Sequence, residues 1–423
     1  MKKLAEYKLS ELPNLTGSLL HFSKQFKYSS ILSSNQYKDK YGKYELLAAF
    51  GAVRLIESST ASFDQLQKVI EDSPSWLFGH LSYDLKNELE ELESNYQDNF
   101  EFENLSFFEP EFLFVQKQGD LVISIYVHET ANQTLLNQVF ESQVKPLNEF
   151  PFLEPKMTKD EYLEAIQKLK GEIKYGNIYE INYCQEFYTH ASKFDPQRAY
   201  LKLLNQSKTP FSAFYQCNTN FLLCASPERY IAKHGQEIIS QPIKGTAKRG
   251  LTELEDDEIK ESLRKDLKEQ TENVMIVDLV RNDLSITAER GSVEVEELFG
   301  VYTFPQVHQL ISTVKSKIAA ERHLVEVLKH SFPMGSMTGA PKISAMKIAE
   351  QHEKSRRGLY SGSVGYISPN GDFDFNVVIR SLIYNESSNY LSLSVGGAIT
   401  NLANAEAEYN ECLLKAKAIF DNK

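Results

Sequence analysis

Positive charge is in short supply in this chain: 46 lysines and arginines stand against 58 aspartates and glutamates, a formal net charge of -12 over 423 residues. A nucleic-acid groove draws on clustered Lys and Arg, so nucleic acid is excluded as a partner. Long apolar runs are missing as well. The charged opening Met1-Lys2-Lys3-Leu4-Ala5-Glu6 has no apolar segment behind it, so neither a signal peptide nor a membrane association is expected. Cysteine is scarce: Cys184, Cys217, Cys224 and Cys412 show no CxxC pairing and no zinc-ligand spacing. None sits between glycines as a nucleophile-elbow cysteine would, which argues against a cysteine-type glutaminase within the chain. The expectation is a reduced, disulfide-free, cytoplasmic protein. Tryptophan is nearly absent, Trp76 standing alone beside 25 Phe and 22 Tyr.

The 42% hydrophobic and 25% charged content is that of a soluble globular protein. Residues 1–150 read as alternating strands and helices, with a hairpin predicted from the apolar runs 112–115 and 121–127. The acidic stretch 88–93 predicts a solvated helix. Pro151 and Pro155 mark a connector, after which Thr158 and Glu161 form a capping box. That box opens a helix with Tyr162, Ile166, Leu169 and Ile173 on one face. The boundaries are an amino-terminal region, 1–150, packed on a catalytic body, 155–423. Within that body a helix is expected over 270–279, ending near Arg281-Asn282-Asp283. Buried strands are expected over 221–224, 377–383 and 390–395, and the last twenty residues read as helical.

The chemistry concentrates in the second part. In Pro242-Ile243-Lys244-Gly245-Thr246 a lysine stands between a rigid proline and a permissive glycine. Such a pentapeptide is either a solvated turn or a pocket lining that aims an amine at a ligand. In a pocket, desolvation and the neighbouring cations Lys248 and Arg249 would push the amine towards its neutral, nucleophilic form. Glu272 shares a helix face with Ile276 and Leu279, while Glu408, Glu411 and Lys415 share another. Each group is a solvated face or, if the two converge, an oxygen-ligand set for a hard cation such as Mg²⁺. Gly335-Ser336-Met337-Thr338-Gly339-Ala340-Pro341-Lys342 reads as a helix start offering free N–H groups to an anion, without the P-loop spacing. Val395-Gly396-Gly397-Ala398 offers a similar cradle. Arg380, placed mid-strand in Val378-Ile379-Arg380-Ser381, is either salt-bridged or a clamp for a ligand carboxylate. His308 is a lone histidine, a type more often structural than catalytic.

In this order the segments resemble the chorismate-utilising enzymes, a family with anthranilate, aminodeoxychorismate, isochorismate and salicylate synthases as branches. The resemblance is strong over 155–423, through Ser226-Pro227-Glu228, 242–246, 272–283, 335–342, Ile379-Arg380, Gly396-Gly397-Ala398 and Glu408 with Glu411. It extends weakly to Phe78-Gly79-His80-Leu81-Ser82-Tyr83-Asp84. It implies an α+β fold, two antiparallel β-sheets packed as a sandwich with helices on the outer faces. Anthranilate synthases usually carry alanine between Pro-Ile and Gly-Thr; aminodeoxychorismate synthases carry lysine, as at Lys244.

The resemblance therefore implies an amino-group transferase working on chorismate and ammonia. Lys244 would attack C2, Glu228 would protonate the departing C4 hydroxyl, and ammonia would add at C4. The product, 4-amino-4-deoxychorismate, leads to 4-aminobenzoate and folate, and the ammonia would come from a partner glutamine amidotransferase. Glu272 and Glu411, with Glu408 through water, match ligands of Mg²⁺. Gly245, Thr246, Ser336, Tyr366, Arg380, Gly396, Gly397 and Lys415 match substrate-contacting positions. Gln309 stands where anthranilate synthases have a histidine, so no catalytic role passes to His308. Glu180 stands where isochorismate and salicylate synthases have a water-activating lysine, which weakens a hydroxylating reading. The alternatives are an anthranilate synthase component I and a catalytically silent binding subunit.

Overall fold

The computed structural model describes residues 1–305 and 307–420. Strict alternation along the strands decides the architecture. In Phe211–Cys217 the side chains of Ala213, Tyr215 and Cys217 enter one core cluster and Phe214 enters another. Asn220–Ser226 repeats this, with Leu222 and Cys224 on one side and Phe221, Leu223 and Ala225 on the other. A side-chain period of two puts both faces of such a strand to use only if each is covered.

The strands form two antiparallel sheets, one of twelve strands and one of ten among the described residues. The first cluster occupies the space between them, where His80 of the smaller sheet meets the Tyr215 hydroxyl of the larger at 3.0 Å, and continues across the smaller sheet to the helices packed on it. The second cluster lies on the outer face of the larger sheet, beneath the helices Lys159–Tyr175, Pro196–Gln206, Lys342–His352 and Ala405–Phe420. The helix Leu267–Ser285 packs on Ile243–Lys248 and Val307–Lys317 of the smaller sheet. The expected sandwich with outer helices is the observed fold. Both sheets take strands from 1–150 and from 155–423. Tyr28–Ser33 pairs with Phe211–Cys217, and Leu77–Leu81 pairs with Ser363–Ile367.

Local signals were followed closely. Phe112–Lys117 and Val122–Val127 pair as the predicted hairpin. The Thr158–Glu161 capping box forms, with the Glu161 N–H donating to the Thr158 hydroxyl at 3.3 Å and the Thr158 N–H to the Glu161 carboxylate at 2.8 Å. Thr158→Ala should therefore destabilise the protein by about 1 kcal/mol, read as a lower urea midpoint with an unchanged slope.

Two expectations need correction, and a third is met as far as the described residues go. The acidic stretch is not one helix: Lys86–Leu89 ends it, and the Glu88 carboxylate instead accepts from the N–H and hydroxyl of Ser62. The predicted strand 377–383 begins only at Ser381, because Arg380 adopts φ 51 and breaks the run. The final helix is Ala405–Phe420; residues 421–423 of that expectation lie outside the described residues. The four cysteines are free and buried, as the composition led one to expect. Among the described residues no helix is long and apolar enough to cross a membrane.

Candidate active site

The chain changes sheets twice at one place. Ser226-Pro227-Glu228 carries it from Asn220–Ser226 in the larger sheet to Arg229–His234 in the smaller. Residues 377–380 carry it back, from Phe373–Asn376 to Ser381–Asn385. The crossings hydrogen-bond each other: Val377 N–H to the Glu228 carbonyl at 3.0 Å, and Ala225 N–H to the Arg380 carbonyl at 3.2 Å. Glu228 and Arg380 are thus neighbours by backbone, not through long side chains. The φ of 51 at Arg380 is uncommon for a non-glycine residue and a mark of functional sites. Its guanidinium forms no hydrogen bond or ion pair within 4 Å among the described residues. Burial pulls its pKa down, with Glu228 opposing. An unpaired, partly buried cation of this kind suits an anionic ligand.

Glu228 is buried, and desolvation pushes its carboxyl up to about 7, against the opposing effects of Ser336, Lys244, the Ile243 N–H and Arg380. The Ile243 N–H reaches its Oε1 at 3.5 Å. That link joins Glu228 to the strand Ile243–Lys248. The strand is bulged: Ile243 pairs with Ile311 and Thr246 with Gln309, so Lys244 and Gly245 together face Leu310 alone. Gly245 takes φ 93, which only glycine adopts easily, and an added Cβ would lie 3.0 Å from Glu269 Oε2. The bulge turns Lys244 inward, as bulges beside active sites commonly do.

Inside, Lys244 Nζ donates to Glu180 Oε1 at 2.7 Å, with the lysine side chain 10% and the glutamate 1% exposed. Burial alone would lower the lysine pKa, but the Glu180 charge and hydrogen bond outweigh it, with help from Glu272 and Glu228, and the net shift is upward. The resting amine is an ammonium. The cations expected to lower it face elsewhere: Lys248 and Arg249 are exposed, and Arg249 is engaged by Asp256 at 2.9 Å.

Opposite these groups runs Tyr390–Ile399, with Gly396 and Gly397 inside the strand and not after it. A Cβ on Gly396 would meet both Asn182 side-chain heteroatoms and the Tyr360 hydroxyl at 3.0 Å. Lys415 Nζ donates to the Gly396 carbonyl at 3.0 Å and pairs with Glu411 at 2.8 Å. Glu272 and Glu408, from two helices, converge on Lys268, whose Nζ lies 3.8 Å from one and 3.9 Å from the other. Burial raises the Glu272 carboxyl to about 7 and raises that of Glu408 too; Glu272 Oε1 is buried and accepts no hydrogen bond. A carboxylate cluster with an orphaned buried oxygen fits a hard cation. Among the described residues, though, no three such side chains already stand in metal-holding geometry.

The structure therefore brings together Glu228, Lys244, Gly245, Ser336, Arg380, Gly396, Glu272, Glu408, Glu411 and Lys415, with Gly397 beside Glu408 and Thr246 exposed at the edge. Tyr366 goes elsewhere. It packs on Tyr44, Trp76 and Phe78 and lines a separate cavity with Asp39, Lys43, Arg229 and Asp374. The tyrosine beside Gly396 is Tyr360, in Leu359-Tyr360-Ser361, which the sequence reading passed over because two tyrosines lie six residues apart. Lys268 was also missed, although its i,i+4 spacing to Glu272 was a usable signal. His308 is buried between Asp256 at 2.8 Å and Thr303 at 3.0 Å, a structural setting. Gln309 is buried with an unpartnered Oε1.

These features define a cleft lined by a lysine, an arginine and several carboxylates where the two sheets exchange strands. The chain belongs to the chorismate binding enzyme family, which it matches over residues 28–421. Aminodeoxychorismate synthase component 1 of Escherichia coli K12 is 38% identical over 264 residues, 62% of this chain and 58% of the relative. The chloroplastic aminodeoxychorismate synthase of Arabidopsis thaliana is 34% identical over 389 residues, 86% of this chain and 42% of the relative. The chain thus spans about half the length of these relatives. Anthranilate synthase component I from Streptococcus pneumoniae superposes with a TM-score of 0.78 at 25% identity, covering 90% of this chain and 93% of that one.

Proposed function

We propose that this chain aminates chorismate at C4, giving 4-amino-4-deoxychorismate through a covalent Lys244 adduct. The observation that carries it is a buried lysine, turned inward by a bulge, beside a carboxyl with a pKa of about 7. Lys244 Nζ bonds to C2 as the ring double bond shifts and the C4–O bond breaks, and the Glu228 proton leaves with the hydroxyl as water. Ammonia then bonds to C4 while the C2–N bond breaks and releases Lys244. One hard displacement becomes two easier ones. Arg380 and the Gly396–Gly397 backbone hold the substrate carboxylates. The ammonia source is a separate glutamine amidotransferase subunit, and the product serves 4-aminobenzoate and folate synthesis. Two similar proteins bear the name aminodeoxychorismate synthase, which supports this reading.

Glu272, Glu411 and Glu408 would hold Mg²⁺, which when bound neutralises and clamps the ring carboxylate. Glu272→Gln should weaken Mg²⁺ binding by calorimetry about ten- to a hundredfold, by analogy with losses in metal-site supporting groups.

The likeness to the pneumococcal structure favours a second reading, an anthranilate synthase component I. Incubation with chorismate, Mg²⁺ and ammonium separates the two. The proposal expects 4-aminobenzoate only after an aminodeoxychorismate lyase is added. Fluorescent anthranilate without any lyase would replace it with the second reading.

A further inference from the structure

Lys244 cannot attack a carbon while it is an ammonium, so some group must take its proton first. Several carboxylates bear on it from the elements around it. Glu180 comes from the strand Glu180–His190 of the larger sheet, Glu228 from the crossing, and Glu272 from the helix Leu267–Ser285. Glu269 and Glu411 feel the lysine charge from further round the cleft. Glu228 has to keep its own proton for the departing hydroxyl, and Glu272 belongs to the cation cluster with Lys268 and Glu408. Among the described residues only Glu180 places an oxygen in hydrogen-bond contact with Nζ, at 2.7 Å.

Two further observations fit Glu180 to that task. Its carboxylate is fully buried, and Oε2 accepts no hydrogen bond. An oxygen left buried without a partner is better satisfied as part of a protonated acid, because burying a charge costs far more than burying an acid. Transfer within the pair also turns a buried ion pair into two neutral groups, which removes the desolvation cost on both sides. The position is held by backbone: Glu180 pairs with Ala340, at the short strand Gly339–Ala340 that follows Ser336.

We infer that Glu180 is the proton acceptor for Lys244, taking the Nζ proton before attack on C2 and returning it when the lysine is expelled. The inference rests on the covalent reading above. The balance closes over both halves. In the first, a proton moves from Lys244 to Glu180, the Nζ lone pair forms the C2–N bond, and the C4–O electrons leave with the Glu228 proton as water. In the second, ammonia forms the C4–N bond, and the C2–N electrons return to Nζ. The new C4 ammonium then gives one proton to Glu228, and Glu180 returns its proton to Lys244. Chorismate and ammonia have become the amine and water, and every protein group is restored.

The test follows adduct formation by rapid-quench intact-mass spectrometry, with chorismate and Mg²⁺ present and ammonium withheld. Glu180→Gln keeps the shape and removes the basicity. It should slow adduct formation by about 10²–10⁴ with chorismate affinity unchanged, the span typical of a lost acid–base group. Glu180→Asp, still a carboxylate, should recover part of the rate, which a merely structural role would not predict. Adduct formation in Glu180→Gln at the wild-type rate or faster would overturn the assignment, showing that the pair only holds the amine protonated. Should Glu180→Gln not fold, Glu180→Asp decides alone: slowed adduct formation at intact affinity supports the role, and an unchanged rate rejects it. A wild-type protein that yields 4-amino product yet forms no adduct would instead reject the covalent reading.

Discussion

Lys244→Ala is expected to abolish amination at C4 while leaving chorismate binding in place. The alanine removes the only nucleophile that the bulge of Ile243–Lys248 turns into the cleft. Loss of a covalent nucleophile costs on the order of 10⁴–10⁶ in rate where the other groups remain. Removing one partner of the buried Lys244–Glu180 pair should cost about 3–5 kcal/mol of stability, so a thermal melt of the variant accompanies the activity assay. Steady-state assays coupled to the lyase, with binding measured separately, check both halves of this statement. Undiminished 4-amino product from Lys244→Ala would leave the bulge, the buried pair and the raised Glu228 without a catalytic purpose.

The second large effect is expected at Glu228. Glu228→Gln should lower kcat by roughly 10²–10⁴, the contribution of a general acid at a breaking bond. The pH profile distinguishes this role from a binding role. With its carboxyl pushed up to about 7 by burial, the wild type holds the needed proton below that value and loses it above. Activity should therefore fall on the alkaline side of about pH 7, and this limb should vanish in Glu228→Gln. Linkage has the same sign. The unfolded carboxyl is already ionised near pH 6, so the native state binds more protons there. The stability this group contributes is complete below the usual carboxylate range and is lost as pH rises through about 7. Thermal melts of wild type and Glu228→Gln across that range should converge at acid pH and separate at alkaline pH.

Much of this site was legible because short local motifs carry long-range geometry. The glycines at 245, 396 and 397 pointed to backbone that lines the site, and the structure shows why two of them resist a side chain: a Cβ would lie 3.0 Å from Glu269 at 245 and 3.0 Å from the Tyr360 hydroxyl at 396. The capping box at Thr158 and the hairpin ending at Val127 followed from neighbouring residues alone. Arg380 was misread for a physical reason. Its apolar neighbours fit a buried strand, but the chain there leaves one sheet for the other, and only the three-dimensional crossing forces φ to 51. The protonation state of Lys244 was misjudged for a similar reason. Lys248 and Arg249 are adjacent in sequence but solvent-facing, whereas the charge that governs it, Glu180, is 64 residues away. Tyr366 and Tyr360 illustrate the limit of pattern matching: six residues separate a tyrosine in another cavity from the one beside Gly396.

The central claim is that Lys244 becomes covalently attached to the substrate ring. The direct measurement is intact-mass and peptide-level mass spectrometry after mixing the protein with chorismate and Mg²⁺, ammonium being withheld. The account predicts a single addition equal to chorismate less water, confined to the peptide containing Lys244 and discharged when ammonium is supplied. Turnover to 4-amino product with no addition at Lys244 at any time would contradict it.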